Sequence, residues 1–555
     1  MPKNHWLLFS LICLCFDFFG CSAQKTQKKG SMNSLKSTPK LVVGIVVDQM
    51  RYDYLTRFWN HYEDGGFKRM VNEGFNCKNN HFNYAPTSTG PGHASVYSGT
   101  TPATHGVIGN NWYDKVEDRE VYCAADNSRI SVGTASEAGK MSPHRMKVTT
   151  ITDELRLHTQ MRGKTIAIAL KDRGAVLPGG HTANAAYWFY GQKEGNWVTS
   201  SYYMNELPKW VSDFNASNKV ENYKKVWNTK KNINTYVESG SDDNNYEGKF
   251  IDETSSTFPH DLVKNWNANG SFDILKFTPF GNNITTDFAI EAIEEELLGA
   301  DLNTDFLAIS YSSTDYVGHM YGVNSKEVQD TYVRLDADLK RLLDALDKRV
   351  GKDAYTVFLT ADHGAIDVPS YLMDKKIPAG YIDYTAMRSK LDQFLRYNFG
   401  TTDVIENFSN NQFFLDHKII SNLDLEIGKA QKMIADELLN YEGVDRVYTA
   451  TQMKSNNYTT GIPYILQNGY NQKRSGDVLL VLKPGVINYP KTGSTHGSPQ
   501  IYDTHVPLLF FGKGVQKGST TVRTEIPDIA PTIATLLGIS FPNGCTGQPI
   551  SQVLE

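Results

Sequence analysis

Three histidines and three aspartates in this 555-residue chain stand in short motifs whose side chains could hold divalent cations. Asp315 and His319 lie at i,i+4, on one face of a helix, where both can reach one metal. Asp362 and His363 are neighbours that a straight strand would send to opposite faces, and Gly364 eases the turn that brings both to one site. His496 sits in the glycine-flanked loop Gly493-Ser494-Thr495-His496-Gly497-Ser498, and Asp48 closes an apolar run. Each has a plainer reading alone: Asp48 as a helix N-cap, Asp315 with His319 as a surface pair. Their co-occurrence points to two zinc ions held by oxygen and imidazole. The chain has no Cys-x-x-Cys spacing for a thiolate site.

A second constellation could supply a nucleophile. In Pro86-Thr87-Ser88-Thr89-Gly90-Pro91-Gly92-His93, Pro91 suits the first turn of a helix. A hydroxyl just ahead of that helix meets unpaired N–H groups and the positive end of the dipole, which favours an alkoxide and a phosphoryl group. Thr87, Ser88 and Thr89 all qualify, and the physics of the segment does not choose among them. Lys171 and Arg173 follow another apolar run, and at i,i+2 they can point to the same side.

These residues need a frame that delivers them to one edge. Apolar runs at 41–47, 165–170, 306–310, 356–360, 478–482 and 506–511 read as strands buried on both faces. Helical periodicity appears at 147–160, 286–298 and 328–346. The alternation predicts an α/β sandwich with a central, mostly parallel sheet flanked by helices. Ligands of open α/β sheets bind beyond the carboxyl ends of the strands, where four of these runs deliver charged groups. Two intervals, about 181–283 and 369–475, break the alternation and read as insertions above the sheet, within a catalytic domain spanning 40–555. The first holds a hairpin, with Tyr187, Trp188, Trp197 and Tyr202 serving either as a substrate wall or as core.

Residues 1–23 have the form of a secretory signal: a basic start, an apolar stretch and the small residues Gly20-Cys21-Ser22-Ala23. Cleavage after Ala23 and acylation of Cys21, with a membrane anchor, both fit. Residues 24–39 read as a flexible tether, so the expected location is exported: periplasmic or secreted. Of the remaining cysteines, Cys77, Cys123 and Cys545, one pair is expected, with Cys77 and Cys123 the nearest in sequence. A net charge of -5 excludes the basic face of a dedicated nucleic-acid binder. No oligomeric state is set, and a monomer is compatible with the pattern.

The order and wording of these motifs, with Ile526-Pro527-Asp528-Ile529-Ala530-Pro531-Thr532 near the end, resemble the alkaline phosphatase superfamily and its PafA-type phosphate monoesterases. The resemblance runs from about residue 41 to the end and implies an alkaline-phosphatase-like fold. It selects Thr89 as the nucleophile, forming a phosphothreonine that zinc-activated water hydrolyses. It implies one zinc on Asp315, His319 and His496. The other would be held by Asp48, Asp362 and His363, with the Thr89 oxygen as a further ligand. Asn110, Lys171 and Arg173 would bind phosphate, while His93, His105, His181 and His505 are left to packing. Two zinc ions balance three aspartates and an alkoxide, so Lys171 and Arg173 leave two positive charges for a monoester dianion. A threonine nucleophile is shared with the nucleotide pyrophosphatase/phosphodiesterase branch, which stands as the alternative. A non-catalytic surface binding lipoprotein is the remote one. No Cys-x-Pro-x-Arg segment exists for a sulfatase. The implied substrates are small phosphate monoesters.

Overall fold

The computed structural model describes residues 38–555. The segment read as export signal, Cys21 and nearly all of the tether lie outside the described residues.

Valine- and isoleucine-rich runs build the centre of a ten-stranded sheet. In spatial order its strands are Gly518–Thr520, Phe75–Cys77, Leu508–Gly512, Tyr355–Thr360, Leu41–Val47, Asp305–Tyr311, Thr165–Ala169, Ala185–Tyr190, Asn196–Ser200 and Ser131–Val132. The five strands from Tyr355–Thr360 to Ala185–Tyr190 run parallel. Pairing turns antiparallel on both flanks, where Leu508–Gly512 and Asn196–Ser200 join. Every residue of Leu41–Val47, Asp305–Tyr311 and Tyr355–Thr360 is buried, as expected of strands covered by helices on both faces. The helices Pro279–Glu295 and Lys326–Leu346 pack on each other and begin earlier than their apolar periodicity. The caps decide the starts: Thr278 and Ser325 each accept a backbone N–H of the first turn.

The helix Thr89–Ser98 lies directly on the central strand. Tyr97 Oη donates to the Gly44 carbonyl, and a Cβ at Gly44 would stand 2.5 Å from that hydroxyl. Glycine at this point lets the helix approach the sheet.

Three expectations are corrected. The hairpin of the first interval does not rise above the sheet: Ala185–Tyr190 and Asn196–Ser200 continue it, because Tyr187, Trp188 and Trp197 are core residues, Trp197 stacking on Phe288 at 4.2 Å. The run Val478–Leu482 belongs to a separate antiparallel sheet ordered Ile405–Ser409, Gln412–Leu415, Val478–Leu482, Val444–Thr449. Helices Tyr384–Phe399 and Ile427–Leu438 give that sheet its own core, including Leu391, Leu395, Ile434 and Leu438. An apolar run alone does not say which sheet buries it. Finally, Cys77, Cys123 and Cys545 are all free thiols. Cys77 lies in a strand of the main sheet, while Cys123 packs against Gly90 and Cys545 against Gly99.

Behind the helix Ser313–Tyr321, buried His260 bonds Glu253 at 3.0 Å and Glu327 at 3.2 Å and meets the Tyr321 ring. Burial opposes its charge, but the two glutamates win and push it up to about 9; Asp242 also faces it. Nearby Glu247 is likewise pushed up to about 9, by burial and Glu327. The folded chain thus binds these protons more tightly than the unfolded chain. The His260 contribution to stability is complete below about pH 6.5 and is lost as pH rises through about 9. Thermal melts from pH 6 to 10 should show this alkaline decline, flattened in His260→Gln.

Candidate active site

Four adjacent parallel strands end side by side and set the site. Val47 leads to Asp48, whose N–H donates to the Tyr311 carbonyl at 3.0 Å and so stays in register with the next strand. Tyr311 leads into Ser313–Tyr321, which carries Asp315 and His319 on one face. Thr360 leads to Asp362 and His363, and Thr165–Ala169 leads to Lys171. His496 arrives on its loop, held by Asp503, which accepts the Ser498 N–H at 2.7 Å.

The structure brings all six predicted ligand residues together. Ligand atoms of Asp48, Asp362 and His363 lie within 4.8 Å of one another, as do those of Asp315, His363 and His496. His319 Nε2 stands 3.2 Å from Asp315 Oδ1, and His363 Nε2 stands 3.5 Å from Asp48 Oδ1. The imidazoles of His363 and His496 stack at 3.4 Å. Each of the three histidines spends Nδ1 on a backbone carbonyl: His319 on Ser494, His363 on Gly364, His496 on Thr87. That pairing fixes the tautomer of a neutral ring and leaves the Nε2 lone pair, like the carboxylate oxygens beside it, for a cation. By contrast His93 uses both nitrogens, on the Thr89 carbonyl and Ser310 Oγ, and His105 bonds Ser95 and Val107. Neither has a nitrogen left for a metal.

The carboxylates are crowded. Burial and repulsion from Asp362 raise Asp48 well above the usual carboxylate range. Burial, opposed by Lys171, brings Asp362 up to about 6. Burial would also raise Asp315, but His319 and Lys171 beside it hold it well below its ordinary value. Asp48 Oδ1, Asp362 Oδ2 and His363 Nε2 are buried without a hydrogen-bond partner. A divalent cation satisfies all three, and the oxygen and nitrogen donor set suits zinc.

Thr89 is the first residue of its helix and Ser88 the N-cap, one position later than the expectation of a hydroxyl ahead of the helix. Lys171 is the residue that gathers the site. Its buried Nζ lies 2.7 Å from Asp48 Oδ2, 2.5 Å from Asp315 Oδ2 and 3.4 Å from Thr89 Oγ1, above the Tyr316 ring. Lys171 caps the helix Asp172–Gly179 and Arg173 lies in its first turn, so a helix start, not strand alternation, orients the pair. Arg173 Nη1 donates to Tyr122 Oη at 3.2 Å, Tyr122 donates to Asp172, and Arg173 Nε is left without a partner. Asn110 Oδ1 accepts the Gly90 N–H at 2.7 Å, which leaves its Nδ2 available. A cavity of about 340 Å³ adjoins Ser88, Asn110 and His496 and is walled by the second sheet at Phe408 and Leu482.

Three participants escaped the sequence reading. Gln49, at φ 63°, donates from its amide to Asp315 Oδ1 at 2.7 Å and from its backbone to Asp362 Oδ1, tying the two ligand groups together. Tyr122 bonds Arg173 and the Tyr316 ring lies under Lys171. No spacing marks Gln49 or Tyr122, and Tyr316 was visible only as part of a motif.

Comparison with known proteins agrees with this geometry. The family described as type I phosphodiesterase/nucleotide pyrophosphatase matches residues 42–505. A protein of Myroides odoratus named calcium-transporting ATPase is 44% identical, covering 99% of each chain. Alkaline phosphatase PhoV of Synechococcus elongatus is 44% identical, covering 98% of this chain and 99% of its own. Alkaline phosphatase PafA of Elizabethkingia meningoseptica is 42% identical over 93% of this chain and 94% of its own. A crystal structure of wild-type PafA superposes with a TM-score of 0.89, covering 93% of this chain and 99% of that one. A second PafA structure, 41% identical and covering 93% of this chain, carries substitutions at a threonine, an asparagine, a lysine and an arginine. No helix among the described residues is long and apolar enough to cross a membrane. Fold and site together define an α/β phosphohydrolase whose clustered carboxylates and imidazoles could hold a metal. The chain belongs to the type I phosphodiesterase/nucleotide pyrophosphatase family of the alkaline phosphatase superfamily, and within it is a PafA-type phosphate monoesterase.

Gly92 tests how tightly the helix Thr89–Ser98 and the carboxylate cluster are packed. A Cβ there would stand 2.4 Å from the Asp362 carbonyl oxygen and 2.6 Å from Asp362 Cβ. Gly92→Ala should cost about 1–3 kcal/mol of stability in denaturant titration and lower phosphatase activity by displacing Asp362.

Proposed function

We propose that the chain hydrolyses phosphate monoesters to an alcohol and inorganic phosphate through a phosphothreonine on Thr89. The observation that carries this reading is Lys171, one buried ammonium within reach of Thr89 Oγ1 and two candidate ligand carboxylates. The substituted PafA structure adds support: its four altered residue types follow the order of Thr89, Asn110, Lys171 and Arg173, with the same two-residue step from lysine to arginine. Asp315, His319 and His496 would hold one zinc; Asp48, Asp362 and His363 the other, with Thr89 Oγ1 as a further ligand. When bound, two zinc ions supply Lewis-acid stabilisation to oxygens that gain negative charge and lower the pKa of water.

The chain's own residues supply position and charge. Lys171 favours the alkoxide form of Thr89, whose Oγ1 bonds to phosphorus as the alcohol departs with its oxygen. The helix start and Asn110 Nδ2 receive the non-bridging oxygens, and Arg173, braced by Tyr122, adds positive charge. The departing alcohol is accommodated in the cavity beside Asn110. Water then attacks the phosphothreonine, releasing phosphate and restoring the threonine hydroxyl. Substrates are small phosphate esters, met after export: residues 1–23 act as the signal, with Cys21 as an alternative lipid anchor.

The family's phosphodiesterase members favour one second reading, hydrolysis of diesters. A diester carries one negative charge, so it gains less from the Lys171 and Arg173 pair. On purified protein, metal analysis should find two zinc ions per chain. Thr89→Ala should lower monoester turnover by roughly 10³-fold or more. Lys171→Ala with Arg173→Ala should depress monoester far more than diester hydrolysis. Full activity of Thr89→Ala refutes the covalent route, and a diester preference of the wild type refutes the monoesterase assignment.

A further inference from the structure

The second sheet reaches the Asn110 segment at the tip of the hairpin joining Ile405–Ser409 to Gln412–Leu415. Ser409 pairs with Gln412, and the two residues between them, Asn410 and Asn411, have φ of 52° and 59°. This is the two-residue turn in which both central residues need positive φ, a conformation asparagine tolerates. Asn411 is spent inside its own layer. Its carbonyl accepts the Leu480 N–H at 2.8 Å and its side chain accepts the Tyr384 hydroxyl. Asn410 is exposed and reaches out of the layer: its Nδ2 donates to the Asn111 carbonyl at 2.7 Å. The contact is close, since a Cβ placed on Gly109 would meet Asn410 Nδ2 at 2.8 Å.

Gly109 and Asn111 bracket Asn110. The Asn110 backbone is held from its own layer by Cys123, whose N–H donates to its carbonyl at 2.8 Å, and its side chain by Gly90. Asn410 is a third hold, on the next peptide along, and it comes from 299 residues away in sequence. We infer that Asn410 is a positioning residue: through the Asn111 carbonyl it fixes the loop that presents Asn110 Nδ2 to the phosphoryl oxygens, and so couples the second sheet to phosphate binding. The inference rests on the phosphate-binding role of Asn110 proposed above.

The test uses the full-length, metal-loaded enzyme, an aryl phosphate monoester and inorganic phosphate as inhibitor. Asn410→Gly removes the side chain while keeping the positive φ that other residues resist. It should lower kcat/KM by about 3- to 10-fold, the size of one lost hydrogen bond, and weaken phosphate inhibition in parallel, with Tm unchanged. Asn410→Asp has the same shape but sets an acceptor against the Asn111 carbonyl, and should lose at least as much. In an Asn110→Ala background, Asn410→Gly should change kcat/KM by less than about twofold, since coupled residues are not additive. Wild-type kinetics in Asn410→Gly and Asn410→Asp, or a full additive loss in the double variant, overturns the inference alone. Full activity in Asn110→Ala overturns the role of Asn110 and this inference with it.

Discussion

Three buried carboxylates converge on one spot, and their mutual repulsion governs the rest of the site. Asp48 and Asp362 are driven up by burial, and Asp362 adds to the strain on Asp48, while His319 and Lys171 hold Asp315 well below its ordinary value against its own burial. Such a cluster persists only beside concentrated positive charge, because an uncompensated buried charge is among the costliest features a fold can carry. Lys171 is the part of that charge the chain provides. Burial opposes its own ionisation, yet Asp315 and Asp48 raise its pKa above the ordinary lysine value. The partnerless oxygens of Asp48 and Asp362 and the buried, unpaired Nε2 of His363 mark where a cation would supply the remainder.

The parallel sheet makes this arrangement affordable. Asp48, Asp315, Asp362 and Lys171 each follow one of four adjacent central strands, so the hydrogen-bond ladder sets their relative depth before any side chain interacts. Gly44 lets the helix Thr89–Ser98 settle on the same sheet, and Gly92 lets its first turn press against Asp362. Backbone geometry therefore carries the repulsive cluster, and the side-chain network refines it. Gln49 shows the refinement: from a left-handed backbone position it donates hydrogen bonds to Asp315 and Asp362, which ties them together and stabilises their negative charge.

Much of this was legible in sequence because the chemistry sits where strands end. The central apolar runs, the acids behind them and the glycine-flanked histidine loop are all local patterns, and together they marked the fold class and the six residues that the structure gathers at the sheet edge. Choosing Thr89 among three hydroxyls needed the family resemblance; the structure makes it the first helical residue, and only its Oγ1 is in contact with Lys171. What stayed hidden is non-local. Val478–Leu482 has the same apolar character as the main-sheet strands, but its burial comes from helices supplied by the second interval. Trp197 read equally as wall or core until Phe288, far along the chain, was seen to stack on it. Tyr122 acquires its place only through the Asp172–Arg173 turn, and Cys123 through its packing on Gly90, which no spacing encodes.

The two layers meet the reaction in different ways. Residues that carry charge hang from the parallel strands, where a shift of one moves its neighbours through shared register, so their chemistry is mechanically interlocked. The second sheet has its own core and meets the segment that follows Asn110 through side-chain contacts: Asn410 on Asn111, Tyr113 against Phe414, Lys115 on the Ser475 carbonyl. Contacts of that kind can be exchanged one at a time without disturbing the carboxylate cluster. The cavity beside Asn110 has one wall from each layer. The charged cluster is thereby tied to the sheet edge, while part of the shape of the adjoining cavity is left to the layer that can vary independently.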